Sequence, residues 1–147
     1  MKVRLLAYLT IAGLTATSAG CGSTKKAGAG ASAQQQISKV WTEFFSAKTP
    51  ASTKVSLLQN GQKFAPVIQA QSNSPLAAES AAKVTGVKVS GPTTATVTYT
   101  ILLAGKAALK NVTGTAVKTN GAWQVGDQSF CRLLGLQGTT PPACPKG

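Results

Sequence analysis

The sequence predicts an α+β domain: about three N-terminal helices packed on a curved antiparallel meander of about four strands, with a short C-terminal helix. Three observations carry that expectation. Apolar residues recur at helical spacing in Ile37, Val40, Trp41, Phe44 and Phe45. Beyond Ala81 the period falls to two and β-branched residues take over. Between two such runs stands Asn120-Gly121, the strongest short-range hairpin signal. Helices first and antiparallel strands after give segregated layers, with the helices on one concave face of the sheet.

An address precedes the domain. Residues 1–21 read MKVRLLAYLTIAGLTATSAGC, in which Lys2 and Arg4 lead an apolar stretch from Leu5 to Leu14 and then small residues, the pattern of an export signal. That stretch is far shorter than the roughly 20 residues needed to span a bilayer as a helix. The ending Ser18-Ala19-Gly20-Cys21 resembles the bacterial lipobox, whose cysteine is acylated and becomes the first mature residue; Ser18 stands where a branched apolar residue is usual. The alternative is cleavage after an Ala-x-Ala-like site, Ala16-Thr17-Ser18 or Thr17-Ser18-Ala19, which leaves Cys21 free or trimmed. The expected organisation is therefore a lipoprotein signal peptide over 1–20, lipidation (diacylation, with palmitate) at Cys21, and attachment to the outer face of the cell membrane. Release to the medium is the unanchored variant.

Residues 21–35, rich in Gly, Ala, Ser and Lys, read as a flexible tether. It would hold the domain on the order of 20 Å from the bilayer, with Lys25 and Lys26 placed to meet anionic head groups. Three cysteines in an exported chain leave an odd one. Lipidation accounts for Cys21, and an oxidising compartment lets Cys131 and Cys144 close a disulfide worth on the order of 3 kcal/mol. Two free thiols, or a bridge from Cys21, are the alternatives.

The domain itself is expected over 36–138. Its first helix runs over about 34–47. Thr49-Pro50 reads as a capping hydroxyl with proline at the first helical position, and Asn60-Gly61 as the stop. Ala51, Val55 and Leu58 share a face. A third helix covers Phe64 to Ala70, with Pro66 in its first turn, and Ser72-Asn73-Ser74-Pro75 breaks the chain. Strands follow over Lys83–Val89, with a bulge at Gly86 where the apolar phase slips, and over Thr94–Leu103 after the Gly91-Pro92 turn. In the second, Ala95, Val97, Tyr99, Ile101 and Leu103 oppose three threonines, as in a sheet covered on one side. Ala104-Gly105-Lys106 turns into Leu109–Thr119, and Asn120-Gly121 leads to Trp123 and Val125. Asp127 then caps a helical turn or two through Phe130, Leu133 and Leu134. The Pro/Gly/Thr-rich tail, 139–147, needs the disulfide to hold it.

Composition excludes much chemistry. There is no histidine, and only Glu43, Glu79 and Asp127 carry acid, so a Ser-His-Asp or Cys-His arrangement and a His-ligated zinc are ruled out, and a carboxylate cage is not expected. No cofactor is expected and the chain reads as non-enzymatic. The formal charge of +12 falls to +10 when Lys2 and Arg4 leave with the signal. The cations are scattered lysines without interleaved aromatics, which favours anionic lipids or envelope polysaccharide over nucleic acid as partners. Asn111-Val112-Thr113 matches a glycosylation sequon by accident.

Two stretches carry a family likeness: VWTEFFSAKTPASTKVSLLQNGQKFAPVIQAQ, and GPTTATVTYTILLAGKAALKNVTGTAVKTNGAWQVGDQSFCRLLGLQG. Over about residues 36–138 the chain resembles the mycobacterial low-molecular-weight protein antigen 2 family, small secreted or lipid-linked envelope proteins of actinobacteria. FAPVIQAQ, TVTYTILL and WQVGDQSFC are its most specific parts. The resemblance implies a cystatin-like or nuclear-transport-factor-2-like cone and an exported, antigenic protein, and no catalytic residues.

Some enzymes with that cone use a carboxylate and a tyrosine inside it, for which Asp127 and Tyr99 are the candidates here. A helix cap and a core strand residue explain them more simply. Two function classes remain. One is an envelope lipoprotein with a basic surface that contacts anionic polymers or a protein. The other is a carrier whose cone, lined by Trp41, Phe44, Phe45, Val97, Tyr99 and Ile101, holds a small apolar ligand. A filled core and a lined pocket use the same residues.

Overall fold

A computed structural model describes residues 27–145. The expected signal peptide over 1–20, the lipidation site Cys21, and Lys25 and Lys26 lie outside the described residues. The fold is α+β. Helix α1 (Ala27–Phe45) is followed by α2 (Ala51–Leu57), a 3₁₀ turn (Gly61–Phe64), α3 (Ala65–Ser72) and a second 3₁₀ turn (Ala77–Glu79). Strands β1 (Ser80–Val89), β2 (Thr94–Leu103), β3 (Lys106–Thr119) and β4 (Ala122–Val125) then form an antiparallel meander in the order β1-β2-β3-β4, and α4 (Asp127–Leu136) closes it. None of the described helices is long and apolar enough to cross a membrane.

The apolar stripe of α1 lies where the spacing puts it. Ile37, Trp41 and Phe44 are buried, and Val40 and Phe45 pack against them. The helix starts earlier than expected, so 27–35 of the anticipated tether is helical. Alanine and glutamine are good helix formers, and once the stripe has docked, extending the helix backwards needs no new nucleus. Gln34 Nε2 also donates to the Val87 carbonyl at 3.2 Å, which pins this part of α1 to β1. At the other end, Ser80 Oγ donates to the carbonyl of Phe45 at 3.1 Å, so the end of α1 is held by the start of β1.

Two expected caps are corrected. Thr49 does not cap α2: Pro50 takes that place, with no side-chain bond, and its carbonyl accepts from Lys54 N–H at 3.0 Å. The helix also stops at Leu57, short of Asn60-Gly61, because Leu58 turns extended and bridges Val125 of β4, while Gln59 N–H donates to the Val125 carbonyl at 2.8 Å. Hydrogen bonds offered by a sheet edge outcompete one more helical turn. Asp127 likewise is not the cap of α4 but its first residue, after Gly126. Its carboxylate accepts from Asn60 Nδ2 at 2.9 Å, since the left-handed backbone of Asn60 (φ 54°) brings that amide to the start of α4.

The sheet curls. β1 slips register between Val84 and Gly86, the bulge expected there, and β2–β3 slips on either side of Ile101, the first slip falling where Asn111 takes a positive φ of 54°. Bulges bend and twist the strands that carry them. The two edge strands β1 and β4 both reach α1, so the sheet forms a half-barrel with α1 in its concavity. The Asn120-Gly121 turn has positive φ at both residues (51° and 82°), the geometry of a tight hairpin that Gly adopts without strain. Gly114 is required by closeness: a Cβ there would stand 2.9 Å from the Trp41 ring and 3.1 Å from Ser129 Oγ. That hydroxyl accepts from Thr115 N–H at 2.8 Å.

Cys131 and Cys144 are bonded, with Cα atoms 5.7 Å apart. Helix α4 ends in a Schellman pair, Thr139 N–H to the Leu134 carbonyl and Gly138 N–H to that of Gly135, both 3.0 Å. The chain then returns along the helix to Cys144.

Three outcomes follow for stability, read by urea unfolding. Gly114→Ala should cost about 1–3 kcal/mol by overpacking, whereas Gly135→Ala, whose Cβ meets nothing within 4 Å in the helix, should gain about 0.5–1 kcal/mol. Cys144→Ser should lose about 2–4 kcal/mol.

Candidate functional site

The six residues expected to line a cone divide into two sets. Trp41, Val97 and Tyr99 are at most 1 % exposed and fill the space between α1 and the sheet. Trp41 meets Tyr99 edge-on at 5.7 Å, and Phe45 stacks on Tyr99 at 5.5 Å. Burial pushes the Tyr99 phenol up to about 12, against weaker downward pulls from the Trp41 indole and the Arg132 guanidinium. The indole N–H of Trp41 is buried without an acceptor in hydrogen-bonding geometry. The indole is still close enough to the Tyr99 hydroxyl to lower that phenol's pKa.

Phe44, Phe45 and Ile101 do line an open space, which lies at the end of α1 beside the filled part of the interior. A cleft of about 780 Å³ lies between α3, the Ala77–Glu79 turn, the Leu103–Leu109 end of the β2–β3 hairpin, and α4. That volume is typical of small-molecule sites. Phe44, Ile68, Phe130, Leu133 and Leu134 give it a buried apolar wall. The exposed large apolar side chains of the described residues are Leu76 (66 %), Leu136 (65 %) and Leu109 (37 %), and all three belong to this one cleft. Three elements distant in sequence each place a leucine there. Scattered exposed leucines need no explanation, whereas leucines gathered at one concavity mark a binding surface.

The polar groups of the lining are mostly satisfied within the fold. Gln71 Nε2 donates to Gln137 Oε1 at 2.9 Å, joining α3 to the end of α4. Ser72 Oγ donates to the Ile68 carbonyl at 2.8 Å, and Ser80 Oγ lies within bonding distance of two carbonyls. Lys54 is the one charged residue in the lining, and burial lowers its pKa below the ordinary lysine value. Asp127 and Tyr99, the pair weighed for acid–base chemistry, are both absent from the cleft wall. A second, shallower groove lies between Gln34, Gln35, Ser38 and the bulge of β1, with part of its polar edge used by the Gln34 bond to Val87. Among the described residues no three His, Cys, Asp or Glu side chains gather as a metal site would require.

Sequence reasoning missed Leu76, Leu109, Leu136 and Lys54. Leu136 falls off the buried stripe of α4, and Leu76 follows a proline in a stretch read as a break. An apolar residue out of phase with its own element was the available signal.

Residues 30–141 match the family model described as low molecular weight antigen MTB12, C-terminal domain. No curated protein matches the chain.

Tyr99 provides a check on the filled half of this interior. A phenol whose pKa is raised by folding favours the fold fully below about pH 10, its unfolded value. That contribution is lost as pH climbs from there towards about 12. Urea unfolding from pH 8 to 11.5 should show the native protein losing stability relative to Tyr99→Phe only above pH 10. A constant gap would mean that water reaches the phenol.

Proposed function

The chain belongs to the low molecular weight antigen MTB12 family, and from that premise we propose that it is an exported, non-enzymatic protein of the cell envelope, lipid-anchored at Cys21, whose domain carries a small apolar ligand in the cleft beside α3 and α4. The convergence of Leu76, Leu109 and Leu136 on that cleft is the observation that carries the reading. Left empty, it would expose apolar surface to water at about 25 cal/mol per Å². The signal over residues 1–20 and the Ser18-Ala19-Gly20-Cys21 ending support export and anchoring. The side-chain inventory supports a non-catalytic role: no histidine, three carboxylates, and one of these, Asp127, bonded to Asn60.

A second reading, contact with anionic lipids or envelope polysaccharide through a basic surface, is favoured by the charge of +10 left after removal of Lys2 and Arg4 and by the exposure of every described lysine except Lys54. The two readings are compatible, because the exposed lysines lie outside the cleft.

Two measurements test this. An intact native mass spectrum of protein from its own host should give a chain beginning at Cys21 with added acyl mass, two hydrogens light for the disulfide, and a further non-covalent mass. An unacylated chain would make it freely secreted. The neutral dye Nile red should bind the folded domain, and Leu76→Lys with Leu136→Lys should weaken binding about tenfold with an unchanged melting temperature, since both side chains are already exposed. Dye binding indifferent to both substitutions would remove the cleft from the proposal.

A further inference from the structure

Given the reading that the cleft holds an apolar ligand, on which this step rests, we infer that the ligand is a long-chain amphiphile with an anionic head, a carboxylate or a phosphate monoester, and that the head pairs with the ammonium of Lys54.

Lys39, Lys48, Lys63, Lys83, Lys88, Lys106, Lys110 and Lys118 are all exposed, and Lys54 alone among the described lysines is half-buried. It is the only residue that α2 contributes to the cleft wall and the only charge there. Among the described residues the wall contains no carboxylate: Glu43, Glu79 and Asp127 are outside it, and Asp127 is taken by Asn60. Burial lowers the Lys54 pKa. A cation half removed from water beside apolar side chains is stabilised by a counter-charge, and no described residue of the wall supplies one. A ligand that brings an anion into such surroundings gains more from the pairing than it would in bulk water. Its chain has the phenylalanine and leucine wall to cover. Charge and apolar surface together describe an amphiphile, where either alone would not.

A purely structural lysine could occupy the same place, its methylenes on the wall and its head reaching water. Competition separates the two. Full-length protein loaded with Nile red is titrated with dodecanoate, dodecyl phosphate and dodecan-1-ol, each below its micellar concentration. One of the two anions should displace the dye about tenfold better than the alcohol does, and their ranking identifies the head. Lys54→Gln should bring both anions to the level of the alcohol, without changing displacement by the alcohol. Lys54→Arg should keep the preference. Lys88→Gln removes the same charge from an exposed site near the opposite end of β1 from Ser80 and should change nothing. A thermal melt of each variant reports folding, and Lys54→Met stands in if the glutamine variant does not fold. Anion and alcohol displacing equally, or a preference for the anions that survives the Lys54→Gln substitution, overturns the head-group inference and leaves the cleft standing. No dye bound and none displaced overturns both.

Discussion

One line of aromatic rings holds α1 in the curl of the sheet. Trp41 meets Tyr99, Tyr99 stacks on Phe45, Phe45 abuts Phe44, Phe44 meets Phe130, and Phe130 meets Phe64, each pair 5.0 to 5.7 Å between centroids. Such pairs contribute about 0.5–1.5 kcal/mol each beyond the area they bury. More important is what they join: α1, β2, α4 and the Gly61–Phe64 turn, all tied through rings clustered near the end of one helix. Gly114 under Trp41, and Ser129 bonded to Thr115 beside it, exist in that form because the indole needs the room.

The same constraint creates the cleft. Packing around α1 brings the edge strands β1 and β4 to the helix, and the bulges of β1 and β2–β3 supply the bend. The sheet end from Leu103 to Leu109 runs past Phe45, the last residue of α1, and has no helix laid directly across it. Helices α3 and α4 approach from the side and cover it only partly. The space left over is bounded by the end of the aromatic line, so Phe44 and Phe45 serve both the filled interior and the open one. The Gln71–Gln137 bond and the disulfide from Cys131 keep α3, α4 and the returning tail in place around it. A folding scaffold and a binding wall here share the end of one helix.

Much of the fold was legible because it rests on local rules. The stripe from Ile37 to Phe45, the alternation of Thr94–Leu103, the hairpin at Asn120-Gly121 and the bulge beside Gly86 each follow from spacing or turn chemistry within a dozen residues. The pairing of Cys131 with Cys144 followed from counting and compartment. Element ends were less legible where a distant partner decides them. Leu58 leaves α2 for β4, Asp127 answers Asn60 in place of its own helix, and α1 reaches back to Ala27 against β1.

By itself the sequence determined the kinds and order of the elements, the family, the disulfide, and an inventory of side chains without the groups for most hydrolytic or metal chemistry. Those are properties of periodicity, spacing and composition, which need no knowledge of what lies across the core. Only the tertiary structure decided that Trp41, Val97 and Tyr99 fill while Phe44, Phe45 and Ile101 line, and that Leu76, Leu109, Leu136 and Lys54 face one cleft. Whether an apolar residue fills or lines depends on the gap between layers. That gap is set by how far the sheet curls around α1 and how closely α3 and α4 approach, distances that no local pattern encodes.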